Sequence, residues 1–152
     1  MYDKSVFNRV VCAAFFALCV FLLAASCSRS SSRERAIEIG ERMFVGQVNN
    51  IYLNAERYMG RTIKLEGVFN REQWEGQTHY FVIRTGPGCC GDDGKVGFEV
   101  RWTEDQRPYP AHDSWVEAVG TLQAYRSGSA SLLYLDLSSL SVLNRRGREF
   151  VN

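Results

Sequence analysis

Thr62-Ile63-Lys64-Leu65-Glu66-Gly67-Val68-Phe69-Asn70 is the stretch whose reading decides the fold. Ile63, Leu65, Gly67 and Phe69 alternate with Lys64, Glu66, Val68 and Asn70, and a side-chain period of two sends the first set to a core and the second to the opposite face. The segment is therefore a half-buried β-strand. Toward the C-terminus the same β-rich signature recurs at residues 80–84, 97–102, 115–122 and 132–137, with a last extended stretch at 140–143. Glu75-Gly76, Gly86-Pro87-Gly88 and Ser127-Gly128 supply turns between them. Short strands of this number must manage their edges, and closing into a barrel does so. The expected fold is mainly β, a small five-stranded OB-like barrel; a β-sandwich would use the same strands. Gly67 and Gly120 fall inside strands, where a barrel wall bends sharply.

Upstream of Thr62 the period changes. Phe44, Val48, Ile51 and Ala55 recur at steps of four, three and four, which places one apolar stripe on a helix over residues 38–53. Asn54 is positioned to cap a further short turn through Tyr58, and Gly60 can take the left-handed conformation that ends it.

At the front, Lys4 and Arg9 precede an uncharged apolar run over residues 10–25, the pattern of a secretory signal. That run is shorter than the roughly 20 apolar residues a spanning helix requires. Leu23-Ala24-Ala25-Ser26 immediately before Cys27 resembles the bacterial lipobox. The resemblance implies that Cys27 receives diacylglycerol and an acyl chain such as palmitate and becomes the mature N-terminus. The organisation expected is a signal peptide at 1–26, a lipidated cysteine and serine-rich flexible tether at 27–35, and one domain at 36–150. This would make the protein a lipoprotein held to a bacterial membrane, with its domain in the cell envelope outside the cytoplasm.

Removing Lys4, Arg9 and Asp3 with the leader from the 18 basic and 17 acidic side chains leaves 16 of each. A neutral chain with Arg145, Arg146 and Arg148 as its main basic cluster is a poor partner for nucleic acid, whose backbone is bound by many cations. Of the five cysteines, Cys12 and Cys19 belong to the leader and Cys27 to the lipid site. Cys89 and Cys90 remain, too few for a disulfide framework.

These two thiols sit in Thr85-Gly86-Pro87-Gly88-Cys89-Cys90-Gly91-Asp92-Asp93-Gly94-Lys95-Val96-Gly97, the densest concentration of ligand-type side chains in the sequence. Three readings are open. Cys89, Cys90 and Asp93, with Asp92, could bind zinc or copper, since thiolates favour such ions. Adjacent cysteines are an unusual spacing for that, and a full site would draw in His79 or His112. Alternatively the pair is redox-active: neighbouring Cα atoms lie about 3.8 Å apart, below the roughly 4.4–6.8 Å of ordinary disulfides. A strained vicinal disulfide is easily reduced. In the third reading the segment is a glycine turn with one small buried thiol.

His79 and His112 otherwise read as ordinary surface residues, and His112-Asp113 has no nucleophile motif beside it. Gly86-Pro87-Gly88 lacks the Lys-Ser/Thr of a phosphate loop. The tryptophans read as barrel wall or core rather than a stacking platform. An enzyme is thus the less favoured class, against a binding module, a redox protein or an interaction protein.

Glu38-Ile39, Phe44, Ile51, Asn54, Tyr58-x-Gly60-Arg61-x-Ile63, Gly67, Cys89-Cys90-x-x-Asp93, Gly97, Trp115-Val116 and Gly120 follow one another as in a family of uncharacterised bacterial envelope proteins, and the mature chain resembles that family along nearly its whole length. The resemblance implies an OB-like fold, a site at Cys89, Cys90 and Asp93, and a possible envelope partner such as a permease. Many members carry multi-pass N-terminal segments where this chain has a lipoprotein signal.

Overall fold

The computed structural model describes residues 35–74, 76–87, 93–104 and 107–151. The leader, Cys27, most of the tether, and residues 88–92 with Cys89, Cys90 and Asp92 lie outside the described residues.

The chain enters through a short strand β1 (Ile37–Ile39), a 3-10 turn (Glu41–Met43), helix α1 (Phe44–Leu53) and a single turn α2 (Ala55–Tyr58). Five long strands follow: β2 (Thr62–Trp74), β3 (Gln77–Pro87), β4 (Asp93–Arg101), β5 (Trp115–Ser127) and β6 (Ala130–Val142). The sheet order is β1-β2-β3-β4-β6-β5, and β2 also pairs with β5. That second pairing closes the ring, so the sandwich alternative is set aside. The pairs are antiparallel except β1–β2 and β4–β6. A closed five-strand mixed barrel with one added strand is the OB-like architecture expected from the sequence.

Two expectations need correction at the front of the fold. Residues 38–43 are not α-helix: Glu41–Met43 is a 3-10 turn, and Ile37–Ile39 runs parallel to β2, with Ile37, Glu38 and Ile39 opposite Ile63, Lys64 and Leu65. Residues 62–68 of β2 pair with β5 on their other side, so β1 covers an otherwise bare edge and pairing outweighs local helical periodicity. Asn54 does not cap α2 through its side chain; its amide turns back to the Asn50 carbonyl at 3.1 Å and Asn50 Oδ1 at 2.9 Å. The apolar stripe itself is as expected, with Phe44, Val48 and Ile51 buried. Gly60 ends the segment at φ 74°.

The two C-terminal stretches at 132–137 and 140–143 are largely one strand, β6. A register shift at Val119/Gly120 keeps it paired with β5. The two strand glycines mark close approaches. A Cβ at Gly67 would lie 2.6 Å from the Ile83 carbonyl oxygen, and one at Gly120 would lie 2.7 Å from that of Asp136. Only a residue without a side chain allows the wall to turn there.

The barrel interior is filled by Ile63, Leu65, Phe69, Val82, Phe98, Val100, Val116, Leu122 and Leu135, with α1 packed on it through its stripe. Arg84 is also buried. Its guanidinium lies 4.9 Å from the ring centroids of both Phe44 and Trp115, donates to the carbonyls of Glu66 (2.7 Å) and Arg148 (3.1 Å), and approaches Glu41 at 3.8 Å. Burial lowers its pKa while Glu41 and Glu66 raise it. The C-terminal segment returns to this end, where Val151 donates to Thr85 and Thr85 to Glu149. Among the described residues no helix is long and apolar enough to cross a membrane.

Candidate functional site on the outer barrel face

Alternation on β3 and β4 sends Val82, Phe98 and Val100 inward, so His79, Phe81, Glu99 and Arg101 face out. An outward carboxylate ordinarily sits in water. Glu99 is instead only 6% exposed, and His79 only 8%. Phe81 stands opposite Glu99, and Glu99 opposite Tyr134 on β6. The carboxylate therefore lies at the middle of a three-strand surface.

Three donors converge on it. His79 Nδ1 lies 2.9 Å from Glu99 Oε1, Arg101 reaches the same oxygen through Nε at 2.9 Å and Nη2 at 2.7 Å, and Tyr125 Oη donates to Oε2 at 2.9 Å. Each donor also carries a ring stack. Trp74, diagonal to His79 across the β2–β3 pair, lies flat on the imidazole with ring centroids 3.4 Å apart. Arg101 lies over Tyr125 at 3.9 Å and Tyr134 at 5.0 Å. A charge-assisted cluster of this kind fixes the rotamers of all its members. Burial and the Glu99 carboxylate push the Tyr125 hydroxyl pKa up, because both oppose the phenolate.

Beside the cluster is a cleft of about 210 Å³ lined by Tyr52, Asn70, Glu72, Phe81, Ile83, Lys95 and Gly97. Lys95 holds Glu72 at 2.6 Å, and Asn70 donates to the same carboxylate oxygen at 2.8 Å. The lysine contact holds the Glu72 carboxyl below its ordinary range. Tyr52 reaches over from α1, stacks on Phe98 at 5.3 Å and donates to the Gly97 carbonyl at 3.1 Å. Desolvation, with Glu99 adding to it, pushes its hydroxyl up to about 12. The face presents aromatic surface from Trp74 beside fixed polar groups, an arrangement that can hold a ligand ring against a flat side chain.

The residues expected to form a site fall in different places. Asp93 is exposed at the start of β4, opposite Pro87 at the end of β3. Cys89, Cys90 and Asp92 lie between those strand ends, outside the described residues. His79 is not a surface residue: it is held by Glu99 and sits eight positions before Pro87 on β3, roughly 26 Å at 3.3 Å per residue. His112 does stay exposed, accepting from the Arg71 amide through Nδ1 at 3.3 Å. It shares a cleft of about 240 Å³ with Thr85, Lys95, Asp113 and Glu149, at the root of the cysteine-bearing hairpin. Among the described residues no three His, Cys, Asp or Glu side chains are grouped to hold a metal.

Trp115 is buried and Trp102 packs against the core, as expected, but Trp74 is 36% exposed on the outer face. Sequence reasoning passed over Glu99, Arg101 and Tyr125. Their one legible signal was the acid between Phe98 and Val100 inside an apolar strand.

A family model described as the DUF1980 C-terminal domain matches residues 24–149. No curated protein matches the chain.

Proposed function

The chain belongs to the DUF1980 C-terminal domain family, and from that starting point we propose that it is a lipid-anchored binding module of the cell envelope. Its outer β3–β4 face takes an uncharged polar ring, of the saccharide class. The observation that carries this reading is the Glu99 hub. A carboxylate 6% exposed holds two ring stacks in place, so a platform exists before any ligand arrives. OB-like barrels commonly bind oligosaccharides or oligonucleotides on the corresponding strands. Here the nearby cations are already matched, Arg101 by Glu99 and Lys95 by Glu72. Balanced charge of this kind suits hydroxyl-rich ligands better than phosphate backbones.

Titration of the full chain with chitotetraose and with a soluble muropeptide, read by tryptophan fluorescence, tests the reading. Saturable binding that weakens by about tenfold or more in Trp74→Ala is expected, a loss of about 1.4 kcal/mol. Absence of saturable change in the wild type with both sugars would reject it.

A second reading is favoured by the pairing of Pro87 with Asp93 and by His112 at the hairpin root. In it, Cys89, Cys90 and Asp93, with Asp92, bind zinc or copper(I) as thiolates. Native mass spectrometry under reducing conditions should then show about one metal equivalent, lost in Cys89→Ser. Metal-free protein in both forms excludes this reading, and a thiol titration that follows glutathione poise would support a redox-active pair instead.

A further inference from the structure

Helix α1 is Phe-Val-Gly-Gln-Val-Asn-Asn-Ile-Tyr-Leu, a surface helix without one charged residue in a chain that is 23% charged. Its inner side is used up by Phe44, Val48 and Ile51. Its outer side carries Gly46, Asn49, Asn50 and Leu53, with Met43 folded over Gly46 so that its methyl lies 3.8 Å from where a Cβ would stand. Leu53 is 84% exposed and Met43 61%. Near Met43, Phe150 is 51% exposed and shares a cleft with Arg42 and Arg148. Two of these apolar groups bracket one helix face, about 15 Å apart at 1.5 Å per residue.

The chain outside the structure says what meets this face. From Cys27 to Ile37 is ten residues, which as a flexible coil spans roughly 17 Å and at full stretch about 35 Å. Its described end leads straight into β1, the 3-10 turn and α1. The stretch holds Arg29, Arg33 and Arg35 against Glu34 alone, so it favours an anionic headgroup layer.

We propose that the Met43–Leu53 side of α1, together with Phe150, rests in the headgroup–acyl boundary of the same bilayer that holds the lipid of Cys27. This inference rests on the lipid-anchor reading. The domain is then held in one orientation by three points: the acyl chains, the helix face and the arginines of the tether. Exposed Leu, Met and Phe side chains bury at that boundary and the tether's cations add attraction to anionic lipid, which orients a domain that acyl chains alone would leave free to tumble.

The test uses the full chain made in cells, with p-benzoylphenylalanine in place of Leu53 and, separately, of Ser131 on the distant β5–β6 hairpin. The N-terminal peptide mass reports the lipid at Cys27 independently. Light-induced cross-links from position 53 to lipid, at least fivefold above those from position 131, are expected. On vesicles of phosphatidylethanolamine and phosphatidylglycerol, amide exchange in α1 should slow by a similar factor, and Met43→Glu with Leu53→Glu should abolish the slowing. Lipid present on Cys27 with cross-links from position 53 to a second copy or to an envelope protein, or to nothing, overturns the docking alone. An N-terminal peptide without lipid overturns the anchor and the docking with it.

Discussion

At the scale of single residues, Glu99 does the most with the least sequence signal. A carboxylate withdrawn from water is tolerated when every lone pair meets a donor, and His79, Arg101 and Tyr125 supply them. Glu99→Ala removes the acceptor and leaves the buried His79 donor unpaired, while Arg101, 32% exposed, can turn toward water, so the cost should be about 1–3 kcal/mol. Urea denaturation should show that loss, and Trp74 fluorescence should shift as its imidazole partner loosens. Tyr52 gives a second residue-scale test. Its hydroxyl is raised to about 12, so the folded state keeps a proton that the unfolded chain, titrating near 10, releases earlier. The stabilisation is complete below about pH 10 and disappears as pH rises toward 12. Tyr52→Phe should flatten that alkaline decline, measured by thermal melting from pH 9 to 12. A wild-type curve with no steeper fall than the variant would contradict the raised value.

Elements show where local pattern sufficed and where it did not. The inward set of Ile63-Leu65-Gly67-Phe69 and the stripe Phe44-Val48-Ile51 were legible because each is set by one buried face, whereas Val68 and Asn70, read as the outward set, are buried as well. Residues 37–39 were not, since their partner is an edge of β2 that exists only after the barrel has closed. The outer cluster was hidden for a related reason: alternation assigns Glu99 to the solvent side, and only the curvature that brings β2, β3, β5 and β6 side chains around it makes it buried. Glycines separate these two kinds of constraint by experiment. Gly46 lies in α1 with nothing closer than the Met43 methyl at 3.8 Å, so Gly46→Ala should stabilise the fold, by about 0.5–1 kcal/mol. Gly67→Ala places a methyl against the Ile83 backbone, where relief requires the strands to part. Overpacking of that kind costs about 1–3 kcal/mol or more. Chemical denaturation of the two variants should move the midpoint in opposite directions.

For the whole molecule, the closed barrel and the proposed anchor set different limits on function. The ring of β2, β3, β4, β6 and β5 is filled by its own side chains, so its interior leaves no room for a ligand and the proposed binding belongs to the outer face. If the domain is anchored as proposed and its target belongs to the same envelope, a short tether raises the local concentration of one for the other. The anchor reading can be tested against the barrel's independence from it. The core of the described residues runs from Ile39 to Val151 and draws on nothing before residue 35. Cys27→Ser should therefore leave folding intact while moving the protein from the membrane pellet to the soluble envelope fraction and removing label from a palmitate analogue. Stable anchoring needs more than one acyl chain, and Cys27→Ser removes every one, so most of the protein should leave the pellet. Retention of the Cys27→Ser protein in the pellet at high salt would mean that the helix face or another segment holds the membrane without the lipid.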